Sequence, residues 1–278
     1  MLWRATFVVT SLIALQTFSS RTLGVRVDVL VTDGRAPVGG LRAADFEVRD
    51  NGVPQTVALL TSSEPINVVL ALDVSASTDG KRQADLQRAS GALLAGLKPG
   101  DRAALVTFTQ AVAPRIPLTA DFPAIRASFA AIQPFGETAI LDGVFVALMS
   151  VQAQPGRSLV VVCTDGNDTA SWLSVGEVLE AAKRSNAVIY AVSAVEARPP
   201  SELKDVSDAT GGQMLQVTAS RDLAAAFERI LSDFRSRYTL AFTPQGVEAG
   251  GLHRLDVRVK RSGLSVKARP SYVGLSPK

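Results

Sequence analysis

Apolar and polar residues follow two regimes along the chain. Near both ends they alternate strictly, as in Val25-Arg26-Val27-Asp28-Val29 and Leu255-Asp256-Val257-Arg258-Val259-Lys260. Period-two alternation predicts strands with one face in a core and one in water. Between residues 66 and 235, short apolar runs alternate with longer segments whose apolar positions recur every three or four residues. Runs such as Val68-Val69-Leu70-Ala71-Leu72 and Leu159-Val160-Val161-Val162-Cys163 are too short for ordinary helices, and predict strands buried on both faces. Leu86, Ala89, Leu93, Leu94 and Leu97 stand at helical spacing, as do Leu223, Phe227, Ile230, Leu231 and Phe234.

The middle of the chain therefore predicts strands at 67–72, 103–108, 158–164, 187–192 and 213–217. Helices are predicted at 80–97, 122–132, 139–151, around 175–182, at 201–209 and at 222–235. Residues 112–118 predict an edge strand, because Pro114 and Pro117 would spoil a central one. In the leader, strands at 25–31 and 46–49 are followed by the hairpin signal Asp50-Asn51-Gly52 and a return strand at 56–60. The tail predicts strands at 238–242, 255–260 and 264–269. Neither flank has enough strands to be stable alone, so 24–62 and 236–275 are expected to pair into one small β-sandwich. Residues 66–235 are expected to form an α/β unit with a doubly wound, mostly parallel sheet.

The chain has 278 residues, with 47% hydrophobic and 20% charged residues, so a packed core is expected rather than disorder. A formal charge of +3 with scattered Lys and Arg makes no case for nucleic acid. Met1-Leu2-Trp3-Arg4, an apolar stretch over 5–18, and Ser19-Ser20 follow the plan of a secretory signal peptide over 1–20, cleaved after Ser19. The apolar part is shorter than the ~20 residues a span needs, and an uncleaved anchor is the alternative. The expected location is secreted or periplasmic, with no stable membrane span after cleavage. The lone Cys163 lies in an apolar run and reads as a small core residue. The lone His253 lies on an alternating strand and reads as structural. Arg254, Arg258, Lys260, Lys267 and Arg269 read as a solvated basic face protecting a sheet edge.

Three strand or helix junctions collect oxygen-bearing side chains: Asp73-Val74-Ser75-Ala76-Ser77, Gly136-Glu137-Thr138 entering a helix, and Thr164-Asp165-Gly166. Open α/β sheets bind ligands at the carboxyl ends of their strands, and hard cations prefer oxygen. Each junction has a plainer reading, the first two as helix caps and the third as a turn. Asp79 and Asp168 read as soluble rim residues, and Asp142 as a solvated helix acid or a residue behind the site. Trp172 reads as a partner contact or as a cover for the core edge.

Taken in order, Asp-x-Ser-x-Ser, Gly-x-Thr and Asp-Gly resemble the metal-ion-dependent adhesion site (MIDAS) of von Willebrand factor type A domains. The resemblance covers roughly residues 66–233. The leader motifs Val31-Thr32-Asp33 and Asp45-Phe46-Glu47-Val48, and the tail motifs Tyr238-Thr239-Leu240-Ala241-Phe242 and Ala268-Arg269-Pro270-Ser271-Tyr272, resemble a bacterial von Willebrand factor A-related family described from Acidobacteria. The resemblance implies a site of Asp73, Ser75, Ser77, Thr138 and Asp165 holding Mg²⁺ or Mn²⁺. Ser75 and Ser77 would ligate directly, Thr138 would join them when a ligand binds, and Asp73 and Asp165 would act mostly through water. The implied function is a non-enzymatic adhesion module whose metal takes an Asp or Glu from a protein partner. Glu137 stands where related sites often carry Gly, adding a carboxylate expected to face water. The alternatives are a metal-dependent hydrolase or phosphoryl-transfer enzyme, with Asp73 as its only conceivable nucleophile, or an ATPase-associated adaptor.

Overall fold

The computed structural model describes residues 24–60, 64–78, 80–194 and 199–274. The signal-peptide reading of 1–20 and the rim position of Asp79 fall outside these residues. The leader holds β1 (Val25–Asp33), β2 (Ala36–Pro37), β3 (Phe46–Asp50), β4 (Val53–Gln55) and β5 (Ala58–Leu60). The middle begins with β6 (Ile66–Asp73), α1 (Lys81–Ala95), β7 (Arg102–Phe108), β8 (Val112–Thr119), α2 (Phe122–Ala130) and α3 (Ile140–Val151). It continues with β9 (Arg157–Thr164), α4 (Val175–Arg184), β10 (Val188–Ser193), α5 (Ser201–Ala209), β11 (Gln213–Gln216) and α6 (Leu223–Arg235). The tail holds β12 (Tyr238–Phe242), β13 (Gly251–Val259), β14 (Ser265–Lys267) and β15 (Ser271–Gly274).

Six strands of the middle form one sheet in the order β11-β10-β9-β6-β7-β8. All neighbours are parallel except β7 and β8, which places Pro114 and Pro117 on an antiparallel edge. β6 and β9 are buried along their full length, and their side chains alternate between two apolar layers. Val68, Leu70 and Leu72 pack with Leu86 and Leu93 of α1 and Phe227, Ile230 and Phe234 of α6. Val69, Ala71, Val160 and Val162 pack on the other face with Leu141, Val144 and Leu148 of α3 and Val178 of α4. The strand order reverses beside β6, with β7 and β8 to one side and β9, β10 and β11 to the other. The crevice outside the carboxyl ends of β6 and β9 is thus a topological switch point, where such sheets bind ligands.

Leader and tail interleave into two antiparallel sheets, β14-β1-β12-β5 with β2 on β1, and β15-β13-β3-β4. Val27, Val29, Phe46, Val48, Leu240, Phe242, Leu255 and Tyr272 share one apolar cluster. Asn51 and Gly52 take φ of 47° and 85°, as a two-residue type I′ hairpin requires. The return strand is β4 rather than residues 56–60. A two-residue turn makes pairing resume at once, at Val53, and β5 then crosses to pair with β12.

The flanks meet the α/β unit at the amino end of β9, opposite the crevice. Arg157, the first residue of β9, donates from Nε to Asp28 Oδ1 on β1 at 2.7 Å. Arg237, wholly buried between α6 and β12, donates to the Tyr190 hydroxyl (2.9 Å) and the Gly211 carbonyl (2.7 Å).

The tail cations do not all form a solvated face. Arg269 is buried and caps α4, donating to the carbonyls of Ser185 (2.8 Å) and Lys183 (2.6 Å). Burial lowers its pKa to about 10, which leaves it cationic at neutral pH, the favoured charge at a helix C-terminus. Alternation along a strand cannot show that a helix end packs on its polar face. His253 is buried, with Nδ1 2.8 Å from Asp50 Oδ1 and Nε2 3.0 Å from the Gly250 carbonyl oxygen. Tyr272 donates its hydroxyl to Asp50 Oδ2 at 2.6 Å, completing a polar cluster inside the flanking sheets. Among the described residues no helix is long and apolar enough to cross a membrane.

Candidate functional site

The site is built where β6 and β9 end. Asp73, the last residue of β6, is fully buried. Its Oδ1 accepts the Ser75 N–H (2.8 Å), which folds the loop back on itself, and its Oδ2 accepts the Thr164 hydroxyl from the end of β9 (2.6 Å). The Ser75 and Ser77 hydroxyl oxygens lie 3.1 Å apart. Ser77 donates its hydroxyl to Asp165 Oδ1 at 2.6 Å, across 88 positions of sequence.

Backbone bonds carry the second loop to the first. Ala76 N–H donates to Gly136 O (3.0 Å) and Phe135 N–H to Val74 O (3.0 Å). Gly136 takes φ of 75°, and a Cβ there would collide with the Gln110 amide, whose Oε1 accepts the Glu137 N–H. Glycine takes that φ without strain. The third loop is joined to the second at Thr138, whose carbonyl accepts the Thr169 and Ala170 N–H groups (2.9 and 3.1 Å). Thr138 Oγ1 lies 3.7 Å from where a Cβ on Gly166 would stand. Asp73, Ser75, Ser77, Thr138 and Asp165 are therefore brought to one crevice.

The capping readings do not hold. Helix α1 starts after Gly80 with no side-chain cap. Helix α3 starts after Ala139, and its first N–H groups are taken from the third loop. Leu141 N–H donates to Asp168 Oδ2 (2.9 Å) and Ser171 Oγ (3.0 Å), and Asp142 N–H to Ser171 Oγ (3.2 Å). Asp168 is thus a cap from another loop, not a soluble rim acid. Asp142 accepts the N–H groups of Trp172 and Leu173, both at 3.0 Å, so it too is a loop anchor. Trp172 is 92% exposed, which removes its reading as a cover for the core edge. Glu137 is exposed to water.

The roles of Asp168, Ser171, Thr169 and Gln110 were not legible in sequence, since each acts through backbone groups about 25 to 30 positions away. Replacing Asp168 by Ala is expected to destabilise the fold by about 1–2 kcal/mol, the scale of a lost helix cap. Urea unfolding of the purified chain checks this.

Burial pushes the Asp73 carboxyl up to about 6, against the bonds from Thr164 and Ser75 that lower it, and the Asp165 charge adds to the rise. The folded chain then holds this proton more tightly than the unfolded one. Metal-free stability should therefore rise as pH falls from 7 through 6 towards the unfolded value near ~4. Thermal melts at pH 7.5 and 5 should show wild type gaining relative to Asp73→Asn at the lower pH. Cys163 is buried beneath the same strand ends; burial, then the Asp73 and Asp165 charges, push its thiol up, so it is no nucleophile at neutral pH.

The donor set fits a hard divalent cation. Among the described residues no three His, Cys, Asp or Glu side chains gather as a metal cluster, so hydroxyls must contribute. Three hydroxyls and two carboxylates offer oxygen alone, the chemistry of Mg²⁺ and Mn²⁺. The buried Asp73 carboxylate, bonded only to neutral donors, is the kind of group that a nearby cation stabilises.

Comparison with known proteins agrees with this geometry. The family model described as von Willebrand factor type A domain matches residues 68–167. No curated protein matches the chain. A von Willebrand factor type A structure from Catenulispora acidiphila is similar over 92% of this chain and 74% of its own, with 14% identity and a TM-score of 0.57. An aerotolerance-related membrane protein from Bacteroides fragilis NCTC 9343 is similar over 60% of this chain and 98% of its own, with 18% identity and a TM-score of 0.51. Proximal thread matrix protein 1 from the mussel byssus, solved with a zinc-occupied MIDAS motif, is similar over 66% of this chain and 49% of its own (16% identity, TM-score 0.54). At such identities the structural likenesses speak for the fold alone. The matched segment, which contains the β6 and β9 ends of the crevice, marks residues 68–167 as von Willebrand factor type A domain sequence, and the structural likenesses agree with it in fold.

Proposed function

We propose that this chain is an exported, non-enzymatic protein-binding module that takes a partner's Asp or Glu through a divalent metal. The observation that carries the reading is the 2.6 Å bond from Ser77 to Asp165, which joins the ends of β6 and β9 into one oxygen-lined site. Ser75 and Ser77 would hold the metal through their hydroxyls, with Thr138 joining when a partner binds. Asp73 and Asp165 already orient the first loop and the Ser77 hydroxyl, the part expected of carboxylates acting behind ligating hydroxyls. A divalent ion bound there supplies positive charge that neutral hydroxyls leave largely uncompensated, and an incoming carboxylate answers it. Mg²⁺ or Mn²⁺ is the proposed ion; the mussel structure's zinc supports a divalent site of this class.

The non-enzymatic reading draws support from the available groups. His253 is buried in the flanking sheets with both ring nitrogens engaged, and Cys163 is inert. No general base other than a carboxylate stands at the crevice among the described residues. Export rests on the pattern of residues 1–20. The two flanking sheets are proposed to act as a small β-sandwich carrying the domain from the end opposite its site.

A pull-down from the exported fraction tests this reading. Wild type should retain a partner in Mg²⁺ and release it in EDTA, and Ser75→Ala with Ser77→Ala should retain none. Retention indifferent to metal and to both serines would contradict it, as would steady ester or phosphate hydrolysis lost in Asp73→Asn.

A further inference from the structure

Helix α1 opens with two cations, Lys81 and Arg82, and has no acid in its first turn. The amino end of a helix carries partial positive charge, so this order is locally disfavoured. Lys81 is matched one turn on by Asp85, at 2.6 Å. Among the described residues, Arg82 is matched only across the crevice. Its Nη1 donates to Asp165 Oδ2 at 2.9 Å and to the Ser77 carbonyl at 3.2 Å. Both Asp165 oxygens are therefore committed, Oδ1 to the Ser77 hydroxyl and Oδ2 to the guanidinium. Asp165 is 5% exposed in its side chain and Arg82 is 51% exposed, so the carboxylate is fixed while the guanidinium can swing away. Where a sequence breaks a local rule, a functional gain is the expected compensation.

We propose that Arg82 sets the cation affinity of the site by holding one oxygen of Asp165. The proposal rests on the reading that the crevice takes a divalent metal. A cation approaching Ser77 meets a positive charge already paired with the carboxylate behind it, and must share Asp165 or displace the guanidinium. Arg82 thus acts as an internal competitor. It weakens metal binding, and the same pair joins α1 to the β9 loop.

Calorimetric titration of Mg²⁺, and separately Mn²⁺, into the full chain tests this. Two neutral variants are used, Arg82→Gln and Arg82→Met, since both keep an unbranched stem of good helix propensity and either suffices if the other does not fold. Both are expected to bind metal about five- to tenfold more tightly than wild type, the scale of one unit charge removed near a partly exposed site. Arg82→Lys, which keeps the charge, should stay near wild type. Neutral variants that bind as wild type does, or more weakly, overturn the role of Arg82 while leaving the metal site standing. Absence of binding in wild type and variants alike overturns both.

Discussion

Asp28→Ala is expected to destabilise the chain by about 3–5 kcal/mol, the consequence of removing one member of a buried ion pair. Arg157 is buried at the first position of β9 and, among the described residues, meets carboxylate charge only at Asp28, at 2.7 Å. Its remaining contacts are the Phe234 carbonyl at 2.8 Å and the Phe234 ring, 4.5 Å from the guanidinium carbon to the centroid. Those contacts hold the guanidinium in place but do not neutralise it. Truncating Asp28 would also free the Thr239 hydroxyl, now 3.1 Å from the same oxygen. The loss should appear as a fall in Tm on the order of 10 °C, given roughly 2–4 °C per kcal/mol for a chain of this size class. Adding Arg157→Met should recover most of it, since a buried pair replaced by apolar residues of similar volume is near neutral. A double variant no more stable than Asp28→Ala would show that the pair is not what joins flank to domain.

Mg²⁺ is expected to raise the Tm of wild type, and Ser75→Ala combined with Ser77→Ala is expected to abolish that rise. Binding to the folded state alone stabilises by about 2.7 kcal/mol at a hundredfold excess over Kd, or several degrees here. The two hydroxyls face each other on the β6 loop, at 3.1 Å, and neither caps α1. The metal-free variant should fold, because the loop keeps its Asp73 bond to the Ser75 N–H and its backbone bonds to Gly136 and from Phe135. A variant that keeps the metal response would move the site elsewhere. Both predictions concern the same sheet, one at the amino end of β9 and one at its carboxyl end.

Most of the α/β unit was legible because β6 and β9 are buried on both faces and their apolar runs have no other explanation. The five candidate residues were legible for a related reason. A buried strand that ends in Asp or Thr must place oxygen at the sheet's rim, and the ends of β6 and β9 do so side by side, with Thr138 brought to them by the loop between α2 and α3. What lay beyond the sequence were contacts made with backbone groups and between elements of similar pattern. Asp168 and Asp142 looked like surface acids, yet each holds N–H groups of another loop. Arg269 sat on an alternating strand, yet it closes α4. Arg82 lies within the predicted helix at 80–97 with no pattern to single it out, and only the fold shows it 2.9 Å from Asp165. The misplaced return strand has a similar origin: Val53-Pro54-Gln55 carries little apolar pattern, and the turn alone sets its register.

The most direct measurement is the location of bound Mn²⁺ by paramagnetic broadening of backbone amide signals. For a metal site at this crevice, signals of Ser75, Ser77, Thr138 and Gly166 are expected to vanish first, and those of the flanking sheets, including His253, to survive. Broadening centred on any other surface, with the amides of Ser75 and Thr138 unaffected, would contradict it.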